Sequence, residues 1–160
     1  MPVNALTVIE VNGTRHEVEA TLDTPLIFVL RNDLGLVSAK LGCGLEQCGA
    51  CAVLVDEEVR YSCTTTVQDV IGCRVETIES FTIDGELDSI QSAFLAENAG
   101  QCGYCLAGIL IRVKALLRGN RTPDLDVIKQ ALKPHLCRCG AHPRILRAIE
   151  RIINASSHVE

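Results

Sequence analysis

The sequence predicts an α+β fold in two parts: a β-rich half over residues 1–80 and a four-helix half over residues 81–160. Three observations predict it. Short runs of alternating apolar residues, separated by Asn-Gly and acidic turns, fill the first half. After Ser80 the apolar period lengthens from two residues to between three and four. Each half also carries its own set of four closely spaced cysteines.

In chain order, Leu6 to Val11 alternates and ends at Asn12-Gly13, the strongest short hairpin signal. Arg15 to Ala20 is the return strand. Thr24 and Pro25 suit the cap and first position of a helix through Leu26, Ile27, Val29 and Leu30, stopping near Gly35. A glycine-rich cysteine loop follows. Ala52 to Val55 reads as a strand, Asp56-Glu57-Glu58 as a turn, Val59 to Cys63 as the partner strand, and Arg74 to Ile78 as one more. Two strands, one helix, a loop and three strands is the order of a β-grasp sheet. Asp84-Gly85 reads as linker, and Asp88 opens a helix that carries Ile90, Ala93 and Phe94 and ends at Gly100. Leu106 to Arg118 is a second helix, closed by Gly119-Asn120. Pro123-Asp124 starts a third, through about Leu132, and Pro143 to about Asn154 forms the fourth.

Composition narrows the function. A hydrophobic content of 48% supports a real core, and with 3% aromatics and no Trp the aliphatic residues must fill it. A net charge of −5 argues against nucleic acid as a partner. No apolar run reaches the roughly 18–20 residues that span a bilayer, so no direct membrane insertion is expected. The start MPVNALTVIEVNG has no basic end, apolar stretch or cleavage site, and is not expected to be a secretory signal. Nine cysteines without an export signal favour metal ligation in a reducing, cytoplasmic compartment over a disulfide framework.

The first quartet, Cys43, Cys48, Cys51 and Cys63, has the spacing C-x4-C-x2-C-x11-C. Gly42, Gly44 and Gly49 let its loop fold tightly and point amide N–H groups inward. Plant-type ferredoxins hold a [2Fe–2S] cluster with the same first two spacings and a more distant fourth cysteine. A disulfide knot or a zinc site are the alternatives. The second quartet, Cys102, Cys105, Cys137 and Cys139, has the spacing C-x2-C-x31-C-x-C, each pair lying in a loop just before a helix. Helix N-termini offer free N–H groups and partial positive charge, which suit an anionic thiolate cluster. Zinc could use the same four thiolates.

Taken together, GCGLEQCGAC, the later Cys63, GQCGYC and LCRCG followed by HPRI resemble the small iron–sulfur subunit of molybdenum hydroxylases, the xanthine dehydrogenase and aldehyde oxidase family. The resemblance covers essentially the whole chain. It implies a ferredoxin-like domain at 1–80 and a four-helix [2Fe–2S] domain at 81–160. It implies two [2Fe–2S] clusters, an outer one on Cys43, Cys48, Cys51 and Cys63 and an inner one on Cys102, Cys105, Cys137 and Cys139. It also implies a large partner subunit holding a molybdopterin cofactor, which Gln101 and Cys139 would approach. Electrons would pass from that partner through both clusters to a cytochrome or flavin subunit. The chain alone would turn over no substrate. A free-standing two-cluster ferredoxin is the alternative.

Two departures point within the family. CGYCLAG stands where many relatives read CGYCTPG, and LCRCGAH where many read LCRCTGY. The second form resembles the isoquinoline and nicotinate hydroxylase subgroup, which implies an N-heteroaromatic or aldehyde substrate and a cytochrome acceptor, with membrane association only through a partner subunit. Of the remaining groups, Cys73 is expected to be a small buried hydrophobe. His16, His135 and His158 are expected at the surface. His142 suits either the partner face or a solvated helix start, and Arg138 either cluster charge or solvent.

Overall fold

The computed structural model describes residues 5–82 and 84–157; His158 lies outside them. Strands β1 (Ala5–Val11) and β2 (Thr14–Ala20) form the expected hairpin. Asn12 and Gly13 sit at φ 53° and 76°, the left-handed pair that a two-residue turn between twisted strands requires. Strands β3 (Ala52–Val55) and β4 (Glu58–Tyr61) form a second hairpin on the same principle. Asp56 and Glu57 take φ 48° and 71°, so the turn is two residues and Glu58 already pairs with Val55. Strand β5 (Arg74–Glu76) completes the sheet in the order β2-β1-β5-β3-β4. It runs parallel to β1 and antiparallel to β3. This is the β-grasp arrangement.

The helix after β2 differs from expectation. It is α-helical only over Leu26–Phe28 (α1) and continues as a π-helical turn over Val29–Asp33. Thr24 does not cap it; its hydroxyl bonds to that of Thr21 at 2.8 Å. Pro25 stays extended and bridges to Thr66. The first helical amides instead donate to backbone carbonyls, Leu26 to Thr65 at 2.8 Å and Ile27 to Ser62 at 2.9 Å. A neighbouring loop does the work assigned to a side chain, which local sequence cannot reveal.

Strand β3 is buried on both faces, which explains its unbroken apolar run AVLV. Val53 and Val55 face a core with Ile9, Val11, Leu26, Leu30 and Val75. Ala52 and Leu54 face Phe81 and Ile111 on the other side. Ile111 belongs to α3 (Leu106–Gly119), so this helix covers the second face of the sheet. The chain reaches it through a 3-10 turn at Ile78–Phe81 and a second turn whose two residues, Asp84 and Gly85, both take positive φ.

Helix α2 (Ser89–Ala96) begins at Asp88, whose carboxylate accepts from Gln91 N at 2.8 Å while the Gln91 side chain accepts from Asp88 N. Asp88 also pairs with Lys114 at 2.8 Å, which anchors this cap to α3. The helix ends at Ala96, short of Gly100. Helix α4 (Leu125–Leu132) is capped by Asp124, and α5 (His142–Ser157) closes the chain. Ile90, Phe94, Ile109, Val113, Ile145 and Ile149 lead the core that these four helices share. Arg118 near the end of α3 forks onto Glu76 of β5, at 2.9 and 3.1 Å, tying helix to sheet.

Candidate metal centres

The loop between α1 and β3 carries the first three cysteines. Arg31 holds its stem by donating to the carbonyls of Val37 (2.7 Å) and Ala39 (2.8 Å). Amide groups turn inward on sulfur as the glycines suggested: Leu45 N and Gln47 N donate to Cys43 Sγ at 3.3 and 3.2 Å, and Cys43 N to Cys48 Sγ at 3.4 Å. Gly42 is needed because a Cβ there would lie 2.6 Å from Cys48 Sγ. Cys51 and Cys63 lie buried beneath, against Ile27 and Tyr61. Ser62 secures this base by donating its hydroxyl to Cys51 O at 2.8 Å.

The amide of Leu45, helped by Gln47 and Cys48, draws Cys43 down to about 7. Burial pushes Cys51 up to about 12, with the neighbouring Cys63 adding to it. The thiols thus fall into two couples, Cys43 with Cys48 and Cys51 with Cys63. Cys43 is thus ready to ionise, whereas Cys51 does so only when a cation replaces its proton.

The second quartet repeats this logic at helix starts. Cys105 immediately precedes α3, and Cys137 and Cys139 precede α5. Gly103 (φ 81°) and Gly140 (φ 69°) turn each loop back on itself. The Tyr104 amide lowers Cys102, whose sulfur also bonds with Cys139. Burial pushes Cys105 up to about 12, the adjacent Cys137 contributing. Burial acts against ionisation at Cys137 too, but the amides of Ala141, Cys139 and Gly140 outweigh it and bring its pKa down. Cys102 therefore faces Cys139, and Cys105 faces Cys137. These four and Tyr104 line a cavity of about 160 Å³ that Cys48 also borders.

Among the described residues no three His, Cys, Asp or Glu side chains converge on one ion position. A structural zinc site would need four ligands on one ion. A binuclear iron–sulfur centre needs two on each of two irons. The couples, and the amides aimed at sulfur, fit the second.

The two sites adjoin. Leu136 N donates to Cys48 O at 3.0 Å, and Tyr104 Oη to Leu41 O at 2.7 Å. A Cβ on Gly108 of α3 would meet Gly49 O at 2.0 Å, so the helix backbone rests on the first loop. His135, expected at the surface, is 2% exposed. It packs over Gly49, where a Cβ would lie 2.4 Å from its Nδ1. Burial pushes its pKa down to about 4, the Arg112 guanidinium adding to the effect, and its Nδ1 has no hydrogen-bond partner. Cys73 is half-buried rather than fully buried: it packs at the edge of the sheet core, its Sγ 3.8 Å from Asp69 O, apart from both quartets. Gln101, Arg138 and His142 are exposed, and His16 is half-exposed. Sequence reasoning missed Tyr61, Arg112 and Gly108. Only Gly108 left a signal, as an unexplained glycine inside a helix.

The fold and these thiol sites define a two-cluster iron–sulfur protein built for electron transfer. Residues 9–75 match the family described as 2Fe-2S iron-sulfur cluster binding domain, and residues 77–150 the [2Fe-2S] binding domain. The chain is 43% identical to a nicotinate dehydrogenase subunit of Pseudomonas putida, covering 89% of this chain and 91% of that one. It is 40% identical to an isoquinoline 1-oxidoreductase subunit of Brevundimonas diminuta, covering 83% and 87%. Quinoline 2-oxidoreductase from Pseudomonas putida 86 superimposes with a TM-score of 0.90 at 30% identity, covering 98% of both chains. Aldehyde oxidoreductase from Desulfovibrio gigas gives 0.89 at 30% identity over 98% of this chain but 18% of its own, so there the same unit is part of a longer polypeptide. The chain belongs to the family of small iron–sulfur subunits of molybdenum hydroxylases. Its role is electron transfer through two [2Fe–2S] clusters, as the iron–sulfur subunit of an oxidoreductase. No helix among the described residues is long and apolar enough to cross a membrane.

Proposed function

We propose that Cys43, Cys48, Cys51 and Cys63 ligate the outer cluster and Cys102, Cys105, Cys137 and Cys139 the inner one. The division falls near residue 80. The two-and-two coupling of thiols is the observation that carries this assignment. Bound there, the clusters supply one-electron redox chemistry between a two-electron molybdenum partner and an external acceptor. The chain's own residues do the rest. Leu45, Gln47 and Tyr104 aim amides at sulfur and so favour the added negative charge of reduction. Leu136 and Gly108 hold the two loops together. Gln101 and Cys139 are proposed to meet the pterin, since both lie at the accessible edge of the second site.

Leu41, Leu45, Tyr104 and Leu136 stand exposed on the loops that carry the cysteines, Leu45 at 67% and Leu136 at 63%. Apolar side chains around cluster sites suit a permanent contact with a partner better than a diffusing carrier. Relatives named for nicotinate and isoquinoline support an N-heteroaromatic substrate, with an aldehyde as second choice. The acceptor is proposed to be a cytochrome, or a flavin subunit in its place, and the complex cytoplasmic or membrane-associated only through a partner. Iron and sulfide analysis with electron paramagnetic resonance of the reduced complex tests the assignment. About four irons and four sulfides per chain, in two distinct spin centres, are expected. A colourless protein loaded with zinc, or a single kind of spin centre, refutes it.

A further inference from the structure

We propose that Arg112 is a fixed positive charge held between the two cysteine sites, where it raises the reduction potentials of the centres they bind. The inference rests on the ligand assignment above. Arg112 lies on α3 about two turns beyond Cys105, and its side chain is half-buried. Its Nε donates to His135 Nε2 at 3.4 Å, and its Nη2 to Tyr61 Oη at 3.3 Å. Among the described residues no ion pair includes Arg112, whereas Lys114 and Arg118 of the same helix each have a carboxylate. A partly desolvated guanidinium with only neutral partners lacks the counter-charge that such a group ordinarily has.

Its partners place that charge. The Tyr61 ring packs against Cys51 and Cys63 of the first site. The His135 ring lies 6.4 Å from it, centroid to centroid, over Gly49 between Cys48 and Cys51. His135 also precedes Cys137 of the second site by two residues. Both side chains that hold the guanidinium therefore lie against the first quartet, and the His135 backbone runs on through Leu136 into Cys137 of the second. Nε2 of His135 accepts from Arg112, so the imidazole orients the guanidinium without adding a charge of its own. A centre held by four thiolates is anionic and becomes more so when it takes an electron. A nearby cation stabilises the reduced form more than the oxidised form. Arg112 is thus a positioning residue for electrons, drawing them along the chain by making the acceptor beside it easier to reduce.

A redox titration of the purified complex, followed by paramagnetic resonance, tests this. Arg112→Gln removes the charge and keeps a polar side chain; Arg112→Met is the second neutral variant should the first not assemble. One charge in a medium of effective dielectric near 20 moves a one-electron equilibrium on the order of tenfold, which is 59 mV. The neutral variant is expected to lower the midpoint of at least one centre by about that much, with Arg112→Lys restoring most of it. Unmoved midpoints at both centres overturn the inference, as does a lysine variant that shifts as far as the neutral one. Two spin centres in the wild type with no shift in the variants refute the role of Arg112 alone. Absence of two centres in the wild type takes down the ligand assignment and this inference with it.

Discussion

A single methyl group at Gly108 tests whether α3 is seated on the first cysteine loop. In an ordinary helix interior, Gly→Ala stabilises by about 1 kcal/mol, because glycine has more conformational freedom to lose. At Gly108 the new Cβ would stand 2.0 Å from Gly49 O, 3.0 Å from Gly49 C and 3.2 Å from Ala50 Cα. All three are backbone atoms, so no side chain can swing away. Overpacking costs about 1–3 kcal/mol, and a backbone neighbour puts this site at the upper end. Subtracting the helix gain leaves a net loss of about 2 kcal/mol. For a chain of this size that lowers Tm by about 4–8 °C. Gly119→Ala is the control: it ends the same helix in open space and is expected to be neutral to slightly stabilising. Far-UV circular dichroism melts of both variants give the comparison, and the spin signal of the first centre reports the displaced loop. Gly108→Ala melting at or above Gly119→Ala, with both spin signals intact, would falsify the contact.

Other outcomes follow from the same geometry. Cys63→Ser is expected to abolish one spin signal and spare the other, while Cys73→Ser, apart from both quartets, leaves both in place. Asp88→Ala removes the α2 capping box and the partner of Lys114, and is expected to cost about 1–2 kcal/mol in denaturant titration, with Asp88→Asn recovering the capping part. Glu79 accepts from Ser38 N at 3.0 Å and from the Ser38 hydroxyl. Burial opposes its ionisation, but the Ser38 and Thr77 donors outweigh it and hold its carboxyl below the usual range. A lowered folded pKa gives stability that is present above the unfolded value, about 4.3, and lost as pH falls through the folded one. The melting gap between wild type and Glu79→Gln should therefore be about 1 kcal/mol at neutral pH and shrink on acidification below about pH 5; a gap that widens there would contradict the Ser38 contact.

Much of this was legible in the residues because the relevant physics is local. Asn12-Gly13 and the acidic turn at Asp56-Glu57 specify hairpins through backbone conformations that few residues tolerate. Cysteine spacing with interposed glycine specifies a loop whose amides converge on sulfur. What stayed hidden depends on parts of the chain far apart in sequence. Thr24 looks like a cap, yet Ser62 and Thr65 supply the carbonyls that satisfy α1. His135 looks like a polar surface residue before a cysteine motif, yet Gly49 leaves the room that buries it. Arg112 carries no local mark, since its meaning comes from Tyr61 and His135, 51 and 23 positions away. Cys73 follows an apolar stretch, but the short β5 starts directly after it and leaves it at the rim.

The placement of β5 has a bearing on how the protein is made. This strand sits mid-sheet, between β1 and β3, although it is the last of the five to be synthesised. A ribosome must release Glu76 before the two hairpins can be stitched together, and by then Cys43 through Cys63 have all emerged. The nascent chain thus holds its first four thiols before β5 joins the two hairpins into one sheet.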